Sequence, residues 1–104
     1  MSQLRYLAQA KDDLINIKRY IARESGSPST AIEYTEKIRE QCHQLANLPG
    51  KMGRPRPELR ENLSSFPYGH YVIFFKYNDD YLEIVTIIEG HRDIEAMFEE
   101  QTSP

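Results

Sequence analysis

Two runs rich in apolar, β-branched and aromatic residues, Gly69 to Lys76 and Tyr81 to Glu89, meet at Asn78-Asp79-Asp80, and no other feature constrains the chain as much. Strand-forming runs joined by so short a turn pair as an antiparallel sheet. In the first, Tyr71, Ile73, Phe75 and Tyr77 alternate with Val72, Phe74 and Lys76; in the second, Ile84, Thr86 and Ile88 alternate with Val85, Ile87 and Glu89. Both faces are substantially apolar, so the period alone does not say which one meets the rest of the chain. Residues 62–67 read as a short edge strand and Tyr68-Gly69-His70 as the turn into the first long strand, which makes three strands. The second run passes directly into Glu89-Gly90-His91-Arg92-Asp93.

Two helical patterns precede the sheet. From Leu4 to Arg23, Leu4, Leu7, Ala8, Leu14, Ile15, Ile21 and Ala22 follow the spacing of one helical face, with Lys11 and Lys18 at its edge. Gly26 suits a helix C-cap, and Ser27-Pro28 suits an N-cap followed by proline at the first helical position. A second helix then carries Ala31, Tyr34, Ile38, Cys42, Leu45 and Leu48 on one face until Pro49-Gly50 ends it. A turn this short makes the two helices an antiparallel hairpin. Cys42 lies on the apolar side with no basic neighbour to lower its pKa, which fits a small buried hydrophobe rather than a nucleophile.

Between the helices and the sheet lies the chain's one basic cluster, a Gly- and Pro-rich loop. Lys51, Arg54, Arg56 and Arg60 against Glu58 and Glu61 give it a local charge of +2, which leaves about −5 on the remainder of a chain with net charge −3. After the sheet, Ile94, Met97 and Phe98 have helical spacing, and Asp93 stands where an N-cap belongs. A structural role is therefore expected for Asp93.

The fold class that follows is α+β: an N-terminal αα-hairpin packed on one face of a three-stranded or longer antiparallel sheet, two layers in all, with a short C-terminal helix. At 104 residues and 39% hydrophobic content, one domain and one core are expected over 1–104. Within it, 1–48 is the helix hairpin, 49–67 the basic loop, 68–93 the sheet and 94–104 a C-terminal extension. The single cysteine excludes an intrachain disulfide and suits the cytoplasm. Neither a secretory leader nor an apolar stretch of about 18 residues is visible, so a soluble, unexported protein with no membrane partner is expected. No His, Cys or carboxylate set has metal-ligand spacing, and no metal or other cofactor is expected.

Four segments in register resemble the ParE branch of the ParE/RelE toxin superfamily. They are Asp13-Leu14-x-x-Ile17-x-x-Tyr20-Ile21-Ala22, the loop from Leu48-Pro49-Gly50 through Gly53-Arg54-Pro55-Arg56-Pro57-Glu58-Leu59, Ser65-Phe66-Pro67 with Tyr71 to Phe75, and Gly90-x-Arg92-Asp93-Ile94. The resemblance implies a toxin of a type II toxin-antitoxin module, neutralised by a cognate antitoxin and directed at DNA gyrase, whose cleaved-DNA complex it traps. Such a protein poisons an enzyme and is not one, so no catalytic residues are expected. Candidate target-binding residues are Arg54, Arg56, Arg60, Tyr68, His91 and Arg92. The chain departs from the family pattern in carrying Ser64 where an Arg is common and Glu89 where a His is common.

The alternative is a RelE-like ribosome-dependent mRNA interferase. Cleavage by 2′-OH attack needs a general base, a general acid and a cation on the phosphorane, roles for which Glu89, His91 and Arg92 are the candidates. A pI near 5.6 gives no overall field for RNA, which favours the gyrase reading and predicts no sequence-specific nucleic-acid binding. The seven tyrosines exceed what so small a core hides, so an apolar surface for the antitoxin is expected.

Overall fold

The computed structural model describes residues 2–50 and 52–102. Lys51 of the basic loop and residues 103–104 of the C-terminal extension lie outside the described residues. The elements in chain order are β1 (Gln3–Tyr6), α1 (Ala8–Ser25), α2 (Pro28–Asn47), β2 (Arg54–Pro55), β3 (Ser64–Tyr68), β4 (Tyr71–Asn78), β5 (Tyr81–Glu89) and α3 (Ile94–Thr102). They form one five-stranded sheet of order β1-β5-β4-β3-β2 with helices on both faces.

The helix hairpin is set by local chemistry. Gly26 takes a left-handed conformation, φ +67°, at the end of α1; Ser27 Oγ then accepts the Thr30 N–H at 3.2 Å, and Pro28 opens α2. The buried stripe of α1 is Ala10, Leu14 and Ile17, whereas Ile15 is exposed; α2 buries Ala31, Ile38, Cys42 and Leu45.

Leu4 does not start the first helix. Residues 3–6 instead pair in parallel with Tyr81–Ile84 and turn the antiparallel meander into a mixed sheet. Across this pairing Arg5 Nη1 meets Glu83 Oε2 at 2.9 Å, and the Arg5 guanidinium lies 3.5 Å from the centroid of the Tyr81 ring. Lys76 Nζ, 3.8 Å from Oε1, is the second cation beside this buried carboxylate. At the other side β3 is not an edge strand, because β2 pairs outside it.

The antiparallel ladder β3-β4-β5 holds the two long runs together, but its register shifts between Phe74 and Phe75. Phe74 opposes Thr86 and Phe75 opposes Ile84, so Val85 is an extra residue in β5. That bulge breaks the alternation. Ile84 and Ile87 both join Ile73 and Phe75 under the helix hairpin, while Val85 and Ile88 join Phe74 on the opposite face.

The second face is covered too. Phe98 of α3 packs on it with Leu63, its ring edge-on to Phe74 at a centroid distance of 4.9 Å, so a third layer supplements the two expected. Among the described residues no helix is long and apolar enough to cross a membrane.

Candidate functional site

One corner of the sheet gathers chemically useful groups. Tyr68, Tyr71 and Glu89 are consecutive partners across β3, β4 and β5, and Tyr34 of α2 sets its ring edge-on to Tyr68 and Tyr71 at 6.4 and 5.9 Å. The turn beneath it is Gly69-His70. Gly69 has φ +58°, and a Cβ there would collide with the Tyr34 hydroxyl, which accepts the His70 N–H at 3.4 Å. Beyond β5, Gly90 N–H bonds His70 O at 2.8 Å and Arg92 N–H bonds Glu89 O at 3.1 Å. Asp93 follows; its Oδ1 accepts the Ala96 N–H at 3.2 Å in the first turn of α3.

Two cavities adjoin at this corner and share Tyr20, Tyr71 and Glu89. One, about 430 Å³, is mainly apolar, with Ile21 and Tyr34 in its wall and His70 and His91 among its lining. The other, about 440 Å³, lies between α1 and the end of β5 and is lined by Arg19, Arg23 and Arg92. Burial first, and then the neighbouring Glu89 carboxylate, hold the Tyr71 phenol above its ordinary range, with the Arg92 guanidinium opposing them. These groups therefore form one electrostatic cluster.

The corner is anchored from below by Asp13 of α1. Its Oδ2 accepts the Ile87 N–H at 2.9 Å and also the Thr86 hydroxyl, to which Gln101 Nε2 of α3 donates at 3.3 Å. The last pair between β1 and β5 is Tyr6 with Ile84. Past it, the Asp13 carboxylate does for β5 what a neighbouring strand would do.

The candidates named from sequence divide between two surfaces. Glu89 lines both cavities, His91 the apolar one and Arg92 the other, while Tyr68 packs against Tyr34. Arg54, Arg56 and Arg60 lie on the far side, where β2 and β5 are three strand spacings apart, about 14 Å. There Arg56 Nε bonds Glu58 Oε2 at 2.7 Å, and this bond is the main reason the Glu58 carboxyl is held below its usual range. Arg60 sits over the Phe98 ring at 5.0 Å, and Arg54 is exposed. The two departures from the family pattern separate likewise: Ser64 pairs with Phe75 and Glu89 with Tyr71, about 13 Å apart along β4.

Arg19, Tyr20, Arg23 and Asp13 were missed as site residues by the sequence reading. The spacing of Arg19 and Arg23, four residues apart and flanking Tyr20, was the available signal, but only the fold brings Arg92 to them. Chemically, the corner offers guanidinium donors for anionic oxygens beside aromatic faces, next to the Glu89 carboxylate and the His91 imidazole. Among the described residues no group of three His, Cys, Asp or Glu is placed to hold a metal ion.

The family model described as ParE toxin of type II toxin-antitoxin systems matches residues 4–94. A chain from a solved structure of a chromosomal ParDE toxin-antitoxin system from P. aeruginosa superposes with a TM-score of 0.73 over 86% of this chain and 96% of that one. At 22% identity that likeness speaks for the fold alone. No curated protein matches.

Proposed function

This chain belongs to the ParE toxins of type II toxin-antitoxin systems, and from that premise we propose that it arrests growth by trapping DNA gyrase on cleaved DNA. A cognate antitoxin, bound over apolar surface, neutralises it. The family match across residues 4–94 carries this reading. The exposed side chains of Ile15 and Ile32 on the helix hairpin are suited to an antitoxin segment.

The corner of Tyr20, Glu89, His91 and Arg92 is the part of the toxin we assign to target contact. It lies where α1 meets the end of β5, a strand that Asp13 and Gln101 bond from two helices. Arg54, exposed on the opposite edge, remains a second candidate contact. Asp93 keeps the role of helix cap.

The ribonuclease alternative draws on the same corner, since Glu89 and His91 share one cavity and Arg92 lines the next. The acidic pI weighs against it. Expression of the chain in a bacterial host tests the choice: growth arrest with DNA-damage induction, intact mRNA, and rescue by the product of the adjacent gene are expected. Ribosome-dependent mRNA cleavage that His91→Ala abolishes would overturn the gyrase reading.

A further inference from the structure

We propose that the 440 Å³ cavity between α1 and the end of β5 binds the phosphodiester backbone of a single nucleic-acid strand, without regard to sequence. The proposal deepens the toxin reading and rests on it only for its biological setting, because the argument comes from the cavity itself.

Three arginines, Arg19, Arg23 and Arg92, line it, and among the described residues none of them makes a salt bridge. Elsewhere Arg5, Arg39 and Arg56 are each paired with a carboxylate. The two carboxylates lining the cavity, Asp13 and Glu89, leave one positive charge in excess against its three arginines, and Asp13 is already hydrogen-bonded to Ile87 and Thr86. The excess is local and positive although the chain is acidic. Arginine forks match the paired oxygens of a phosphate, and Arg19 and Arg23 present theirs from one face of α1, a turn apart.

The aromatic partner decides the ligand class. Tyr20 stands between those arginines in sequence and is 45% exposed, with Tyr71 behind it in the same cavity. A nucleotide uses both features at once, its phosphate on the guanidinium groups and its base on the ring face, whereas the carboxylates of an acidic peptide use only the first. With three cations the site is weak and salt-sensitive.

Fluorescence anisotropy of the whole chain with labelled single-stranded DNA and RNA oligonucleotides tests this. The expected slope of log association constant against log salt is about −2, as for three phosphate contacts on a single strand. Arg19→Glu and Arg92→Glu, both at exposed positions, should each weaken binding roughly tenfold, while Lys37→Glu on α2 leaves it unchanged. Preference for DNA or for RNA identifies the source of the strand; binding of either supports the proposal. Absence of salt-dependent binding, equal weakening by Lys37→Glu, or equal competition by an acidic peptide would overturn it. Since the assay contains no gyrase, gyrase trapping without strand binding refutes this proposal alone, and strand binding without trapping refutes the gyrase reading alone.

Discussion

The carboxylate of Asp13 accepts the Ile87 N–H at 2.9 Å, at the point where β5 continues past the end of β1. An edge amide that has lost its neighbouring strand needs an acceptor, and the same oxygen also takes the buried Thr86 hydroxyl. Helix α1 is thereby fixed to the strand that delivers Glu89 and Arg92.

Asp13→Ala is expected to lower stability by about 2–4 kcal/mol, because it strands two donors that cost about 1–3 kcal/mol each when left unpaired. Asp13→Asn keeps an acceptor and should recover part of the loss. Chemical denaturation of the three proteins measures both effects, and hydrogen exchange at Ile87 should accelerate in the alanine variant.

Two glycines with similar backbone conformation should respond differently to alanine. Gly26 and Gly69 have φ of +67° and +58°, but nothing lies within 4 Å of a Cβ at Gly26, while one at Gly69 meets the Tyr34 hydroxyl. Gly26→Ala should cost about 1 kcal/mol from the left-handed conformation alone, and Gly69→Ala clearly more, with disturbance of the Tyr34 and Tyr71 packing. Melting temperatures and near-ultraviolet circular dichroism distinguish the two.

The folded chain should be sensitive to alkali. Burial pushes the Cys42 thiol up to about 11 from an ordinary value of 9.0, and burial, followed by the neighbouring Cys42, also raises the phenol of the half-buried Tyr6. Between pH 9 and 11 the unfolded thiol has lost its proton while the folded one keeps it, so stability is intact at neutral pH and falls as pH rises. The thiol's share of the fall is about 3 kcal/mol at most. Denaturant midpoints from pH 7 to 11 should show this decline, and Cys42→Ala should make it shallower by the thiol's share.

How much of this was legible beforehand depended on the range of the interactions. The Gly26-Ser27-Pro28 turn and the β4-β5 hairpin could be read because their chemistry is local. Strand β1 could not: Leu4 and Leu7 fit a helical stripe, and residues 3–6 become a strand only by pairing with a partner 78 residues away, as Arg5 does with Glu83. The two faces of β5 were equally obscure, because the bulge at Val85 resets an alternation that the sequence shows as unbroken. Of the candidate corner, Glu89, His91 and Arg92 were visible as neighbours in sequence. Arg19 and Arg23 lie on the first helix, far from Arg92 in sequence, and only the fold lines one cavity with all three.

Gyrase-mediated cleavage of supercoiled plasmid in the presence of the purified chain is the most direct test of the central claim. The account predicts that linear, gyrase-linked DNA accumulates with the wild type, falls several-fold with Arg92→Ala and disappears when the antitoxin is added first. Unchanged supercoiling and no linear product, from a chain whose melting curve shows it folded, would contradict it.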